Sequence, residues 1–281
     1  WTLSAARSRT FPTRWAKAQF AEGSSVIGIS EEQLMAWLSP VIWPFLRTLA
    51  MFTAAPVFSQ KAIPMRVKVG LAFLVAVCAQ AVLDQPMVAV NSPEALTCVI
   101  QQVGIGLAIG FSARLVIASM EVAGEAIGLQ MGLSFASFFD PTSGAQLSAV
   151  SRFLVQIFTL FFIVVNGHLF VLVAVIKSFE VFPVDGSFLQ AVAQMRLHEL
   201  GSAVFSSALW IALPMMALLL FVNLVMGVVS RIAPQMNVFA VGFPVTLTVG
   251  MLGITATLPM MEQPFLSLIE RTLSVFGGGF L

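Results

Sequence analysis

Few side chains in this sequence have the type and spacing to do chemistry, and most of those that do sit close together. Arg114, Glu121 and Glu125 fall seven and then four residues apart, which brings them onto roughly one face of a helix. Two acids one turn apart repel each other, and burial disfavours ionising both, so Arg114 is their natural partner. Two readings follow: a buried ion pair between helices, or a proton-responsive site, since ionisable groups are expensive to keep inside a membrane. His168 and His198 are the only histidines, and neither has an acid or a Cys at ligand spacing. His168, beside Asn166, reads as a hydrogen-bonded buried polar group. Cys78 and Cys98 lie in or beside apolar runs and read as small hydrophobes. HExxH, GxGxxG, Walker and nucleophile-elbow patterns are absent, so no catalytic residue, metal or cofactor is expected.

The elements that must position these groups are apolar. Of 281 residues 58% are hydrophobic and only 10% charged, with a mean hydropathy of +0.96. Soluble domains carry roughly 25% charged residues, so this balance predicts a polytopic membrane protein. A net charge of +1 gives no reason to expect nucleic acid. Tyr is absent, which leaves five Trp to form any interfacial belt.

Hydrophobic runs cover residues 34–58, 69–83, 95–120, 150–176, 203–229 and 238–258. The first contains Pro40, Pro44 and Arg47, and so is expected to face protein along part of its length. The second has 15 residues against the roughly 20 needed to span, so it extends into its flanks or forms half of a tight hairpin. Within the third, Gly106 and Gly110 make a small-xxx-small pair. Pro214 interrupts the fifth, and Gly242-Phe243-Pro244 predicts a kink in the last. The expected fold is an all-α membrane protein of about six hydrophobic helices, several Pro-kinked or paired as hairpins, plus one central amphipathic helix and loop.

That central stretch is residues 121–147. Gly124, Gly128 and Gly132 form one bare ridge on a helix, where another backbone can approach, and Ile127, Met131 and Phe135 form an apolar ridge beside it. The sequence Phe138-Phe139-Asp140-Pro141-Thr142-Ser143-Gly144 then predicts the helix end, because the residue before a proline is pushed out of the α region. The segment is either an amphipathic connecting helix or one buried among protein helices beside a cavity.

Lys61, Arg66, Lys68, Arg114, Arg152 and Arg231 can all face one side if the central helix does not cross, and the positive-inside rule makes that side cytoplasmic. Residues 1–25 carry Arg7, Arg9, Arg14 and Lys17 against one acid, Glu22, and would then lie on the wrong side. Residues 1–28 are therefore expected to be a non-native or disordered extension, with residues 29–281 as the membrane domain.

Four strings in register carry a resemblance: APVFSQKAIPMRVKVGLAF (55–73), GEAIGLQMGLSFASFFDP (124–141), NGHLF (166–170) and RIAPQMNVFAVGFPVTLTVG (231–250). Together they resemble signature segments of the FliR family of flagellar type III export-gate proteins, over about residues 29–270. The resemblance implies a non-enzymatic subunit that joins FliP-like and FliQ-like subunits, and an FlhB-like one, in the bacterial inner membrane at the flagellar basal body. Exported flagellar proteins would be transient substrates, membrane lipid would be a further contact, and much of the helical stack would lie above the bilayer plane.

The resemblance also implies a channel-constricting loop over residues 134–146. Phe135, Phe138 and Phe139 would narrow the channel, Asp140, Pro141 and Gly144 would set the bend, and the loop, which runs to Gln146, would help close the pore. Gly106, Gly110, Gly124, Gly128 and Gly132 would serve helix packing and assembly. The rival reading is a secondary transporter or small-solute channel coupled through Arg114, Glu121 and Glu125; it predicts an internal repeat, and none is evident. An intramembrane hydrolase lacks paired Asp or Ser-His spacing.

Overall fold

The computed structural model describes residues 31–83, 88–133, 147–185, 187, 193, 197–233, 235 and 238–277. These form eight α-helices and one 3-10 turn, with no strand among the described residues. The expected all-α architecture holds, and its spine is a single long helix.

Two hairpin helices come first. α1 (Glu31–Ala54) runs through Pro40 and Pro44 without ending. Its buried Trp43 donates from Nε1 to the Val88 carbonyl at 2.8 Å, and Ser39 Oγ accepts the Val90 N–H at 3.2 Å, so residues 88–90 strap the helix. α2 (Met65–Gln80) buries Ala72, Ala76 and Ala79 and turns Phe73, Leu74 and Val77 outward. Three alanines at helical spacing let it lie close against α1, so the short second run is half of a hairpin.

α3 (Ala95–Gln130) has 36 residues, about 54 Å at 1.5 Å per residue. It joins what the sequence reading separates, the third hydrophobic run and the central amphipathic helix. No breaker lies between residues 120 and 121, and α1, α4 and α6 all pack on it, so the change from apolar to mixed composition is a change of surroundings and not of element. The helix ends at Gln130, earlier than the Asp140-Pro141 turn predicts. Gly132 has φ of 80°, its N–H bonds to the Leu129 carbonyl, and the Leu133 N–H bonds to that of Gly128. That is a Schellman closure, which favours glycine because a Cβ is strained in the left-handed region. Gly132 is therefore the stop of the helix and not the third rung of its ridge.

The run over 150–176 is divided. α4 (Ala149–Val164) and α5 (Gly167–Val181) meet at 64°. Asn166 sits at φ 59°, ψ 25°, a left-handed conformation that Asn tolerates, and Phe162 packs where a Gly167 Cβ would stand. α6 (Leu197–Ile232) and α7 (Val238–Thr257) form the outer hairpin, each helical through its proline, Pro214 and Pro244. A 3-10 turn (Leu258–Met261) leads to α8 (Glu262–Ser274). Phe265, Leu268, Ile269, Thr272 and Leu273 form the buried stripe of α8, and Phe265 meets Phe158 of α4 with ring centroids 4.9 Å apart.

By length and hydropathy, three helical stretches can cross a bilayer: Ala95–Gln130, His198–Ile232 and Val241–Ser274. The bent α4–α5 pair would be a fourth. The chain is a membrane protein by this measure.

Candidate functional site

Four glycines of the two expected ridges each meet a specific neighbour. At Gly106 a Cβ would run into the backbone carbonyl of Arg47, and at Gly110 it would lie 2.7 Å from that of Met51. These two glycines let α1 sit directly on α3. One end of the helix repeats the device: a Cβ on Gly124 would come within 2.5 Å of Ser151 Cα, and one on Gly128 within 2.6 Å of Ser148 Oγ. The start of α4 is therefore docked on the last two turns of α3. Ser148 caps α4 by accepting the Ser151 N–H, and the Ser151 hydroxyl donates to the Glu121 carbonyl at 3.0 Å.

The acids divide their roles. Glu125 accepts the Ser148 backbone N–H at 2.6 Å, so its described partner is a backbone donor at the mouth of α4. Arg114 is exposed and Glu121 half-buried, and both line a crevice of about 270 Å³ with Gln60, Gln156 and Thr159. No ion pair joins them among the described residues.

A second polar cluster lies deeper and is not singled out by spacing. Arg47 is fully buried on α1, with no carboxylate against it among the described residues. Its Nε donates to Gln102 Oε1 at 2.8 Å, Nη1 to Ser178 Oγ at 2.8 Å, and Nη2 to the Phe182 carbonyl at 2.9 Å. The guanidinium also stacks 3.6 Å from the Phe179 ring centroid. Gln102 donates to Gln101, and Gln101 donates to Asp185 Oδ1 at 2.8 Å. One network thus ties α1, α3 and α5 to the segment that follows α5. At its outer end burial acts to raise the Asp185 pKa. Hydrogen bonds from the Ser187 hydroxyl and N–H and from the Gln101 amide outweigh it and hold the carboxyl below its usual range. A lone Arg in a proline-broken apolar run, with a Gln-Gln pair in the helix packed on it, is the signal that marks such a clamp.

The far end of α3 opens onto a larger crevice of about 480 Å³, lined by Gln130, Gly132, Asn223, Phe243 and Thr246 among others. Gln130 Oε1 is buried there without a hydrogen-bond partner among the described residues. Met131 fills the space beside Gly250, holding α7 to the end of α3. Past the end of α3 the described chain runs to Leu133 and resumes at Leu147. The constricting-loop positions Phe135, Phe138, Phe139, Asp140, Pro141, Gly144 and Gln146 lie outside the described residues, as do residues 1–28.

His168 is half-buried, and its Nδ1 lacks a partner among the described residues. Cys78 is an exposed and Cys98 a buried free thiol. Among the described residues no group of three His, Cys, Asp or Glu could hold a metal.

Residues 38–272 match the family described as Bacterial export proteins, family 1. The chain is 39% identical over 240 residues to the flagellar biosynthetic protein FliR of Escherichia coli (strain K12), covering 85% of this chain and 92% of that protein. It is 40% identical over 232 residues to the FliR protein of Pectobacterium carotovorum, covering 83% and 88%. Against that of Bacillus subtilis (strain 168) it is 31% identical over 208 residues, 73% and 80% of the two chains. A match across nearly all the described helices, with FliR proteins aligned over most of their own length, makes this chain a member of the bacterial export protein family 1.

Proposed function

We propose that the chain assembles with FliP-like and FliQ-like subunits, and with an FlhB-like one, into the conduit through which unfolded flagellar proteins leave the cytosol. Its family and its FliR-type relatives make it a membrane subunit of the flagellar type III export gate, a component from a non-enzymatic family. That membership decides against a secondary transporter. The observation that supports shared assembly is the outward apolar surface of α6. Phe205, Trp210, Leu220, Phe221 and Leu224 are each more than 60% exposed on one helix, which needs lipid or sister subunits to cover it. The seat is the bacterial inner membrane at the basal body.

Within the gate, residues 134–146 narrow the channel, with Phe135, Phe138 and Phe139 as the bulky groups and Asp140-Pro141 and Gly144 setting the bend. The reading is supported by the family resemblance and by the build of α3, a long helix held on several sides that ends where this loop begins. The triple Phe→Ala variant should make the resting gate leak ions or small solutes in a growth or conductance assay. An unchanged leak in a variant that still assembles would contradict the constriction.

A further inference from the structure

We propose that the crevice between the α1–α2 turn, α3 and α4 is a docking site for an acidic, extended segment of a transient protein partner. Arg114 takes a carboxylate of that segment and Glu121 a backbone N–H. The site stands apart from the constricting loop and from the apolar face that sister subunits would cover.

The first observation is a surplus of cations. Lys61, Arg66, Arg114 and Arg152 are exposed and Lys68 half-buried, and none forms an ion pair among the described residues. They gather around one opening. Arg114 lines the crevice; Lys61 follows Gln60, one of its walls, and Arg66 and Lys68 come next, at the start of α2. Arg152 lies one helical turn before Gln156, another wall, on the same face of α4. Against these cations stand Glu121 and Glu125, and Glu125 is already engaged by the Ser148 N–H. A positive field of this kind draws an acidic partner and turns away a basic one.

The second is the order of charge inside the crevice. Arg114 and Glu121 line the same space of about 270 Å³. Seven residues apart on one helix, their Cα atoms are separated by about 10.5 Å along the axis, the span of about three residues of extended chain. A phosphate polyanion such as nucleic acid answers Arg114 and leaves Glu121 facing negative charge. A peptide answers both, because it carries N–H groups as well as carboxylates. One turn further along α3, Glu125 already accepts a backbone N–H in this way, from Ser148 at 2.6 Å. Gln60, Gln156 and Thr159 add neutral donors and acceptors for the remaining peptide groups.

The third is the contrast with α6. Permanent interfaces are apolar, and the outward face of α6 is of that kind. A rim of unpaired charge around a polar hollow gives fast, salt-sensitive association, which suits a partner that comes and goes.

The test uses the full chain purified in complex with its gate partners, titrated with a fluorescent peptide of alternating Glu and Ala. The controls are the same peptide with Gln for Glu, its backbone N-methylated form, and phosphatidylglycerol vesicles. The Glu peptide should bind about tenfold more tightly than either control peptide, the worth of one charge-assisted contact, and should weaken as salt is raised. Arg114→Gln should cost the peptide about tenfold in affinity at unchanged complex mass and melting temperature. Glu121→Gln should weaken the peptide and strengthen the vesicles. Equal binding of the Glu and Gln peptides, vesicles preferred over peptide by the unmodified complex, or a Glu121→Gln variant that holds the peptide more tightly would overturn the site. So would a photo-crosslinker at Ala118 that captures a sister subunit in the resting gate.

Discussion

Gly106 and Gly227 are both glycines inside 36-residue apolar helices, and their surroundings differ completely. At Gly106 a single added carbon collides with the α1 backbone; at Gly227 nothing lies within 4 Å. The contrast extends to the helices that carry them. In its most apolar window α3 is 61% buried within the chain, and α6 only 22%. The inner helix is specified by its own chain, through glycine contacts, the Arg47 network and the Glu125–Ser148 bond. The outer helix has hydrophobic side chains of the same kind with half of its environment missing. Small and apolar residues thus carry two meanings in one sequence, internal fit and external fit, and only the neighbours tell them apart.

The sharpest way to break that contrast is at the inner glycine. Gly106→Ala forces α1 off α3 and is expected to cost about 3 kcal/mol, an overpacking penalty at the upper end of its range because the obstacle is backbone. Denaturant unfolding of the purified protein in detergent measures it. Arg47→Met comes next. It strands the Phe182 carbonyl and Gln102 Oε1 in a buried site, an expected loss of about 2 kcal/mol, and Arg47→Lys should recover only part because it lacks the planar fork. Glu125→Gln keeps an acceptor for the Ser148 N–H and loses its charge, so about 1 kcal/mol is expected, seen as faster hydrogen exchange at the start of α4.

The pH response is smaller. Asp185 has a folded-state pKa below its ordinary 3.8. Its contribution is complete above that value and disappears as pH falls through the lower, folded one. Acidification through that lower pKa, beneath 3.8, should therefore release the Ser187 N–H, and Asp185→Asn should remove that dependence. Smallest of all is Gly227→Ala, which within this chain should change stability by less than about 1 kcal/mol, in the favourable direction of helix propensity. If it destabilised the lone chain as much as Gly106→Ala, the distinction between inner and outer helices would fail.

Much of this was legible in the sequence, for identifiable reasons. Apolar runs locate helices because hydrophobicity is local, and Gly106 and Gly110 announce a close approach by spacing alone. The short second run shows by its length that it is half of a hairpin, and the 16-residue α2 packs on α1. Other features depend on contacts between distant residues. That α3 continues past residue 120 follows from the helices packed along it. That Gly132 ends it, ahead of a more conspicuous Asp-Pro, follows from one backbone conformation that a glycine stripe conceals. Asn166 breaks the fourth run through the same left-handed region, a role its amide disguises as chemistry. Arg47 was visible as a lone cation, but its partners lie 55, 131 and 135 residues away.

The claim underneath all of this is that the bare face of α6 is completed by other proteins and not by lipid alone. A photo-crosslinking residue at Phe221 or Leu224, 65% and 63% exposed, reports on it in cells expressing the whole gate. The account predicts discrete adducts with FliP-like or FliQ-like subunits, lost when those subunits are omitted. Adducts to lipid alone, with the gate fully assembled, would contradict it.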